Sequence, residues 1–326
     1  MEQYSTMKVS IIIPVYNVSA YIERCIESVM NQTYKDIECI IVDDATPDDS
    51  IIKCKKMIAE YDGPIRFTIL HHNQNRGISA ARNTGTKASL GEYLLYLDSD
   101  DEIKPNCIET LIKPMTEDCT IDLVQGNHVD ERNGQEICNH KRESSIYISM
   151  NDDVYKEYYI YHHFISTAWN KLIKRSYIEK YKLYFKEGLL HEDFLWFYYV
   201  MKHLERAYIC NNITYIYRIR TNSIMTSGYN IAKGNSYLFI FNAIFNNLSP
   251  QREKIELRGN LKLFYRVYSL YSHDIPAFNN LHSLYRKKAW RYGCWKVFFI
   301  LSIIGIVCRF HCLLTIARNT YCYIAK

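Results

Sequence analysis

The first hundred residues alternate short apolar runs with amphipathic stretches, and this alternation restricts the folds open to the chain. The apolar runs span residues 9–13, 38–42, 66–70 and 93–97. Between them, apolar residues recur at spacings of three and four, as at Ile22, Ile26 and Val29. Alternating strands and helices predict an α/β fold, in which helices cover both faces of a mostly parallel sheet. The expected helices are at 19–31, 48–61 and 78–89.

Two residues define the expected boundaries of the first strand and the first helix. Pro14 lacks a backbone N–H, so we predict that the first strand ends there. Ser19 precedes the apolar repeat and has a side chain that can accept from the first free N–H groups of a helix. It is therefore the predicted N-cap.

Polar residues follow each of the predicted strands. Ligands bind at the carboxyl ends of strands in parallel sheets, so these residues should line one edge. The first turn has no glycine-rich dinucleotide fingerprint and the chain has no Walker motif, which disfavours nicotinamide and P-loop enzymes. The expected edge residues are Pro14, Tyr16, Asn17, Asp43, Asp44, Asn75, Gly77 and Asp98.

The fourth strand leads into four carboxylates within the five residues 98–102. Positions two apart in an extended chain point to the same side, so Asp98 and Asp100 can face one another across a shared site. Carboxylate oxygens are preferred ligands of Mg²⁺ and Mn²⁺, and a cation would offset their mutual repulsion. A divalent-metal site is therefore expected, with a solvated acidic turn as the alternative.

The pattern is less regular after residue 114. Residues 122–126 are predicted to form another strand, and Asn133 with Gly134 a turn. A helix over residues 193–204 would carry Glu192 and Asp193 at its start, where the helix dipole favours negative charge. The pair is either catalytic or an ordinary acidic helix start.

The net charge of +5 is distributed unevenly. From Ile275 onward the chain has eight basic residues and no Asp or Glu, so the positive charge lies in the tail. This argues against nucleic-acid binding by the body and for an anionic membrane surface as the partner of the tail. Residues 297–308 carry no charge, but they are too few for the roughly 20 residues of a membrane span. An interfacial helix within about 286–318 is expected, and a helix docked on protein is the alternative.

The cysteines and the chain length allow two further expectations. Eleven cysteines occur without a CxxC pair, and no secretory leader precedes Lys8. Free thiols in a reducing cytoplasm are therefore expected, and a zinc site is disfavoured. A chain of 326 residues with 48% hydrophobic content can hold two domains or one enlarged domain.

Five motifs occur in order within residues 8–105. They are Pro14-Val15-Tyr16-Asn17, S-x-x-x-Q-T at 28–33, V-D-D-x-T at 42–46, N-x-G-x-x-x-A-R-N at 75–83 and G-x-Y-L-x-x-L-D-x-D-D at 91–101. With these motifs the chain resembles family 2 glycosyltransferases of the GT-A fold. The second half adds three weaker similarities to bacterial members of that family: Trp169-Asn170-Lys171, the Glu192-Asp193 pair and Tyr217-Arg218.

The resemblance implies roles for individual residues at the nucleotide-sugar site. Asp44 would accept a hydrogen bond from uracil, which favours UDP over GDP, and Asp98 would lie at the ribose or donor sugar. Asp100 would be the principal ligand of Mn²⁺ or Mg²⁺, with Asp98 or Asp101 able to share that role. The remaining residues expected at the nucleotide-sugar are Pro14, Tyr16, Asn17, Asp43, Asn75, Gly77, Arg82, Arg218 and Arg220. The last two would donate hydrogen bonds to the phosphates.

The resemblance also implies an inverting hexosyl transfer to a glycan or to a glycan on a polyprenyl diphosphate, in surface polysaccharide synthesis. Asp193 would be the general base, with Glu192 as its competitor, and Trp169, Asn170 and Lys171 would lie on the acceptor side. The basic tail would hold the enzyme on the cytoplasmic face of the cell membrane. Breaking the sugar–diphosphate bond leaves negative charge on oxygen, which a metal ion stabilises as a Lewis acid.

The expected organisation is a GT-A domain over residues 1–225, with nucleotide-sugar binding at 8–115 and the acceptor side at 116–225. A helical region would follow at 226–326. Two rival functions are a nucleotidyltransferase that makes nucleotide-sugars and an inactive scaffold homologue at the membrane. The nucleotidyltransferase would need a glycine-rich basic loop after the first strand, where this chain has PVYNVSAY.

Overall fold

The structure is a computed structural model that describes residues 7–132, 134–138, 143–219 and 229–309. The chain divides into two compact units, one formed by Met1–Val154 with His163–Ser223 and the other by Tyr155–His162 with Ile224–Lys326. The strands are β1 Val9–Val15, β2 Ile37–Asp43, β3 Arg66–His71, β4 Tyr93–Tyr96, β5 Glu102–Ile103, β6 Leu123–Arg132, β7 Gln135–Ile137, β8 Ile146–Ile148, β9 Lys171–Lys174 and β10 Ala207–Arg218. The helices are α1 Ile22–Met30, α2 Ser50–Glu60, α3 Ile78–Ala88, α4 Cys107–Glu117, α5 Asn151–Tyr159, α6 Arg175–Tyr181, α7 Glu192–His203, α8 Ile231–Asn246, α9 Glu253–Tyr271, α10 Ala277–Arg291 and α11 Trp295–Arg309.

The first unit is built on one sheet with the strand order β3-β2-β1-β4-β9-β6-β10-β5. The four N-terminal strands are parallel, as their alternation with helices predicts. β9 runs antiparallel to β4 and β6, so the complete sheet is mixed. β1 lies between β2 and β4, and the carboxyl ends of these three strands therefore share one edge.

Helices cover both faces of β1, which confirms the layered α/β prediction. Ile11 and Ile13 belong to the same buried cluster as Ile22 and Ile26 of α1. On the opposite face, a Cβ atom at Gly85 would lie 2.4 Å from Cγ2 of Ile12, so glycine is needed for α3 to approach the sheet this closely. Each fully buried isoleucine stabilises the fold by roughly 1.5–3 kcal/mol.

The predicted boundaries of the first strand and helix are wrong. β1 continues through Pro14, which pairs with Val42 of β2. The register with β4 ends at Ile12, so the missing N–H of Pro14 removes no ladder bond to that neighbour. Ser19 is not the N-cap, because α1 begins at Ile22 and the Ser19 hydroxyl donates to Asp49.

The strand predicted at 122–126 is longer than expected. β6 extends to Arg132 and pairs with β9, β10 and β7. Asn133 of the predicted turn lies outside the described residues, whereas Gly134 has a φ of +83° that suits a turn glycine. Eight cysteines are free thiols in the described part of the chain: Cys25, Cys39, Cys54, Cys107, Cys119, Cys138, Cys210 and Cys294.

The second unit consists largely of α8 to α11, which matches the predicted helical C-terminal extension. Its core is aromatic, with Phe245 and Phe264 packed against Tyr285 at ring-centroid distances of 4.3 and 4.8 Å. α11 is held by the buried side chains of Val297 and Leu301. Among the described residues, no helix combines the length and apolarity that a membrane span requires.

Candidate active site

The acidic residues after β4 lie in three different environments. Asp101 is only 2% exposed, and its two oxygens accept from Arg218 N at 2.8 Å and Tyr215 Oη at 2.7 Å. Burial, together with the charges of Asp100 and Asp98, raises its pKa well above the ordinary value. Asp98 is partly exposed and accepts from Arg82 at 2.7 Å, and Asp100 is also partly exposed.

Arg82 connects this cluster to the start of α7. Its guanidinium is buried and donates from Nη1 to Glu192 at 2.6 Å and from Nη2 to Asp98 at 2.7 Å. The ring of Phe185 lies 5.2 Å from the guanidinium carbon. Burial alone would lower the pKa of Arg82, but the charges of Asp98 and Glu192 outweigh it and raise the pKa. The guanidinium therefore remains a fixed positive charge between two carboxylates.

Asp193 follows Glu192 in the first turn of α7, as the sequence predicts. His191 precedes the pair with a φ of +60°, and the Phe194 N–H lies 2.9 Å from Asp193 Oδ1. Burial, followed by the negative charge of Glu192, raises the pKa of Asp193 to about 7. Within the described residues, no cation lies at salt-bridge distance from Asp193, whereas Glu192 is bound to Arg82. An acid with this pKa can exchange a proton near neutral pH.

The two acids after β2 anchor neighbouring loops. Asp44 is 2% exposed and accepts from Arg76 N at 2.9 Å and Gly77 N at 2.7 Å, with His72 Nδ1 at 2.7 Å. A carboxylate has about four acceptor positions, so these contacts occupy most of them. Asp43 accepts from Thr46 N and contacts His71 Nδ1 at 2.8 Å. Asp44 therefore fixes the loop that carries Asn75 and Gly77 to the edge of the sheet.

His72 is a residue of this edge that sequence reasoning missed. It lies between Asp44 and Thr84, with Nε2 at 2.9 Å from the Thr84 hydroxyl. His72 directly follows β3, and the residues after the other parallel strands also lie at this edge, so its position in the sequence could have identified it.

The segment after β1 remains accessible at the same edge. Pro14 is buried within β1, Tyr16 is 46% exposed, and Asn17 is exposed with a φ of +54°. The Asn17 N–H donates to Thr46 at 2.8 Å, which ties this segment to the loop after β2. The structure thus brings Tyr16 and Asn17 together with the strand-end acids.

The Trp169-Asn170-Lys171 motif is buried. Asn170 has a φ of +58°, donates to Asn127 O at 3.0 Å and accepts from Thr214 at 2.6 Å. Lys171 is also buried and donates to Thr167 O at 2.7 Å. Trp169 stacks on Tyr215 with ring centroids 4.5 Å apart. These contacts join β9 to β6 and β10 beneath the acidic cluster.

Of the two arginines predicted to bind phosphate, Arg218 belongs to the described part of the chain. Arg218 is largely buried and forms ion pairs with Glu102 and Glu131. Arg220 lies outside the described residues. The structure therefore places Arg218 in a paired network between β10, β5 and β6.

The acidic edge can be tested for its fit to a divalent cation. In the described part of the chain, no three His, Cys, Asp or Glu side chains converge as a complete metal site. Asp98 and Asp100 are both partly exposed carboxylates, and their charges contribute to the raised pKa of Asp101. Such an excess of negative charge suits Mg²⁺ or Mn²⁺, which often share their coordination between carboxylates, water and substrate phosphates. The residues present fit a metal that substrate and water would complete.

Two curated relatives align with most of this chain. GlyA of Streptococcus pneumoniae, named a glycosyltransferase, is 34% identical over 67% of this chain, but the match spans only 31% of GlyA itself. EpsH of Bacillus subtilis, named a putative glycosyltransferase, is 31% identical over 93% of this chain and 83% of its own length.

Two solved structures share the fold. Staphylococcus aureus TarS in complex with UDP-GlcNAc has a TM-score of 0.60 at 17% identity and covers 88% of this chain and 92% of that chain. The mannosyltransferase PcManGT of Pyrobaculum calidifontis, in complex with GDP-Man and Mn²⁺, has a TM-score of 0.59 at 16% identity, covering 94% of this chain and 82% of that chain. At these identities, the likeness confirms the GT-A fold that the motifs imply.

The family assignment follows from the sequence match together with this fold. The family described as glycosyl transferase family 2 matches residues 10–187, which is more than half of the chain. EpsH extends the likeness over nearly the whole length. The chain belongs to glycosyltransferase family 2.

Proposed function

We propose that the protein is an inverting, metal-dependent glycosyltransferase that moves a sugar from a UDP-sugar to a hydroxyl of a glycan acceptor. The observation that carries this proposal is the pair at the start of α7. Arg82 binds Glu192, while Asp193 has no such partner in the described residues and a pKa of about 7. This arrangement supplies one fixed carboxylate and one carboxyl group that can take up a proton.

Asp193 is the proposed general base. It removes the proton from the acceptor hydroxyl as the hydroxyl oxygen attacks the anomeric carbon of the donor. The bond from that carbon to the diphosphate oxygen breaks, and the nucleoside diphosphate leaves with the electron pair. A single displacement inverts the anomeric centre. Glu192 is the weaker candidate because its oxygen is held at 2.6 Å by Arg82.

Asp100 and Asp98 are the proposed protein ligands of Mn²⁺ or Mg²⁺. A bound metal would supply Lewis-acid stabilisation of the charge on the departing diphosphate. One oxygen of Asp98 already accepts from Arg82, and the family motif assigns the principal ligand to Asp100. Asp101 is assigned to the framework, since both of its oxygens accept from protein donors.

The exposed residues of the edge are the proposed nucleotide contacts. Tyr16 and Asn17 are accessible after β1, and Asn75 is exposed in the loop after β3. Asp44 retains its proposed uracil contact through its remaining acceptor position, but its main role is to hold that loop. The complexes of TarS with UDP-GlcNAc and of PcManGT with GDP-Man support a nucleotide-sugar donor, and the proposed contact of Asp44 with uracil favours UDP.

The proposed acceptor is a glycan, either free or on a polyprenyl diphosphate, in the synthesis of a surface polysaccharide. The basic C-terminal region suits a peripheral location on the cytoplasmic face of the membrane, where a lipid-linked acceptor would be presented. Asn170 and Lys171 are proposed as framework for the acceptor side rather than as contacts, because both are buried.

The test is sugar transfer by the purified full-length chain from a panel of UDP- and GDP-sugars, with and without Mn²⁺. Lipid-linked and soluble glycans should be offered separately as acceptors. We expect turnover with a UDP-sugar that requires Mn²⁺ and is lost in Asp193→Asn. Formation of a nucleotide-sugar from a sugar phosphate and a nucleoside triphosphate would instead establish a nucleotidyltransferase. Donor binding without transfer to any acceptor would favour the scaffold.

A further inference from the structure

The last described helix presents apolar side chains to solvent along one side. Trp295, Phe299 and Ile303 are 50, 58 and 62% exposed, and their spacing of four residues aligns them in one row. Trp290 and Ile300 are also exposed, and Trp290 packs against Trp295 with ring centroids 4.5 Å apart. We call these five residues the α11 stripe, although Trp290 belongs to the end of α10.

Apart from the contact between Trp290 of α10 and Trp295, α11 is held in the second unit by a different side of the helix. Val297 and Leu301 lie on the buried side of α11 and are 2 and 0% exposed. The Nε2 atom of His282 in α10 donates to the Leu301 carbonyl at 2.8 Å. α11 is therefore anchored by one face, while a second apolar face is left for another contact.

Basic side chains lie at the end of the helix where the tryptophans are. Lys287, Arg291 and Lys296 are exposed beside Trp290 and Trp295. No acidic residue follows Ile275 anywhere in the sequence. Tryptophan and cationic residues both favour the boundary between lipid headgroups and acyl chains.

We propose that the α11 stripe inserts into the surface of an anionic bilayer, with α11 lying along the membrane plane. Val297 and Leu301 anchor one side of α11 in the second unit, so the stripe on another side can meet a bilayer surface with the helix lying flat. This inference deepens the proposed function, because it rests on an acceptor carried by a membrane lipid.

Charge complementarity selects this occupant over a second copy of the chain. A parallel contact between two α11 stripes would bring Lys287, Arg291 and Lys296 close to the same residues of the other copy, and an antiparallel contact would offer them no acidic residue of the facing stripe, because no Asp or Glu follows Ile275. Like charges at an interface oppose association, whereas an anionic headgroup layer neutralises them. The surface that the bilayer would cover has the apolar α11 stripe at its centre and basic side chains at its margin, as in interfacial helices.

The experiment measures binding of the full-length chain to vesicles of phosphatidylcholine alone and of phosphatidylcholine with about one third phosphatidylglycerol. We expect at least about tenfold stronger binding to the anionic vesicles, weakened by added salt. Brominated acyl chains should quench the fluorescence of Trp290 and Trp295. Trp169 and Trp196 are buried in the first unit and provide an unquenched remainder.

Variants separate the apolar from the electrostatic contribution. Trp295→Ser combined with Phe299→Ser should reduce vesicle binding by about tenfold or more, since two inserted aromatic rings are lost. Lys287→Gln with Arg291→Gln and Lys296→Gln should remove the preference for phosphatidylglycerol. The matched control is Ile52→Ser on α2, which removes another apolar side chain, 70% exposed, and should leave binding unchanged.

Three results would overturn the inference. Equal binding of the Trp295/Phe299 variant and the wild-type chain would show that the stripe does not insert. A lower melting temperature in that variant, without a change in vesicle binding, would assign the stripe to contacts within the chain. A wild-type dimer that the variant converts to a monomer would assign it to a second copy. Transfer to a soluble acceptor is measured in parallel, so failure of the membrane contact is distinguishable from failure of the enzyme.

Discussion

Arg82 donates a hydrogen bond to Glu192 across 110 positions of sequence, with 2.6 Å between Nη1 and Oε1. The same guanidinium holds Asp98 at the end of β4. One buried cation thus joins the proposed metal edge to the helix that carries the proposed base. It also distinguishes two adjacent acids that the sequence leaves equivalent, because it binds Glu192 directly.

We predict that Arg82→Lys destabilises the protein strongly. A lysine has one ammonium group and cannot reproduce the two directed contacts of the guanidinium, so a buried carboxylate loses its partner. The expected loss in the free energy of unfolding is about 3–5 kcal/mol, measured by urea denaturation. Arg76→Lys is the matched control: Arg76 pairs with Glu187 at the surface, and its replacement should cost less than about 1 kcal/mol. Similar losses in the two variants would contradict the conclusion that Arg82 holds Asp98 and Glu192 together.

The rate of transfer should depend on the protonation of Asp193. A general base works in its deprotonated form, so kcat/KM should fall about tenfold per pH unit below a pKa of about 7. Asp193→Asn should lower kcat by about 10²–10⁴-fold. Glu192→Gln should keep a profile with a single base but move it to lower pH, because the negative charge of Glu192 is one cause of the raised pKa of Asp193. Donor binding measured by calorimetry serves as the control for folding of both variants. A profile that disappears in Glu192→Gln would move the base to Glu192.

Asp193→Asn should also stabilise the folded protein at high pH. The pKa of Asp193 is raised from 3.8 in its ordinary state to about 7, so the folded state holds the proton more tightly than the unfolded state. Stability is therefore lost as the pH rises from about 4 to about 7, and asparagine is free of this loss. The melting temperature of the variant should exceed that of the wild type at pH 8, by about 2–4 °C for each kcal/mol relieved. The difference should shrink at pH 5.

Substitutions at Asp100 and Asp101 should have different effects, because Asp100 is the proposed metal ligand and Asp101 is assigned to the framework. Asp100→Asn should weaken the Mn²⁺-dependent binding of a UDP-sugar about tenfold or more, without lowering the stability of the chain in chelator. Asp101→Asn should instead lower stability by about 1–3 kcal/mol, because an amide has only one oxygen for the two buried donors that the carboxyl oxygens of Asp101 accept from. Thermal melting with and without Mn²⁺ and donor checks both. Loss of Mn²⁺ dependence only in Asp101→Asn would exchange the two roles.

The buried asparagine of the Trp169-Asn170-Lys171 motif gives a test of framework against acceptor contact. Asn170→Ala loses the bonds to Asn127 and Thr214 and places alanine at a φ of +58°. We expect a loss of about 2 kcal/mol or more in stability, measured by denaturant titration. The KM for the acceptor should remain close to that of the wild type at a temperature where the variant is folded. A large rise in that KM with intact stability would restore the acceptor-contact interpretation.

Much of the nucleotide-side architecture follows from local sequence. β1 and β2 are rich in β-branched residues and almost entirely buried, and α1 carries a regular apolar stripe. Local preference and burial agree in these segments, so element type and sheet edge can be derived before the structure is known. β4 is buried without β-branched residues and β3 is partly exposed, so their type follows from the alternation of the surrounding elements. The acidic turn after β4 and the acidic start of α7 are local features of the same kind.

The sequence could not determine which of these acids have partners. β9 is inserted antiparallel between β4 and β6, and Arg82 reaches Glu192 only because α3, β4 and α7 are brought together by long-range packing. The hydrogen-bond partners and ion pairs of Asp44, Asp101 and Asp193 depend on burial and on neighbours distant in sequence, which no local pattern encodes. The chain's own order of residues thus determined the α/β alternation and the edge that carries the polar groups. Tertiary structure alone decided which carboxylates are fixed and which one can exchange a proton, because pKa and ion pairing are set by distances across the fold.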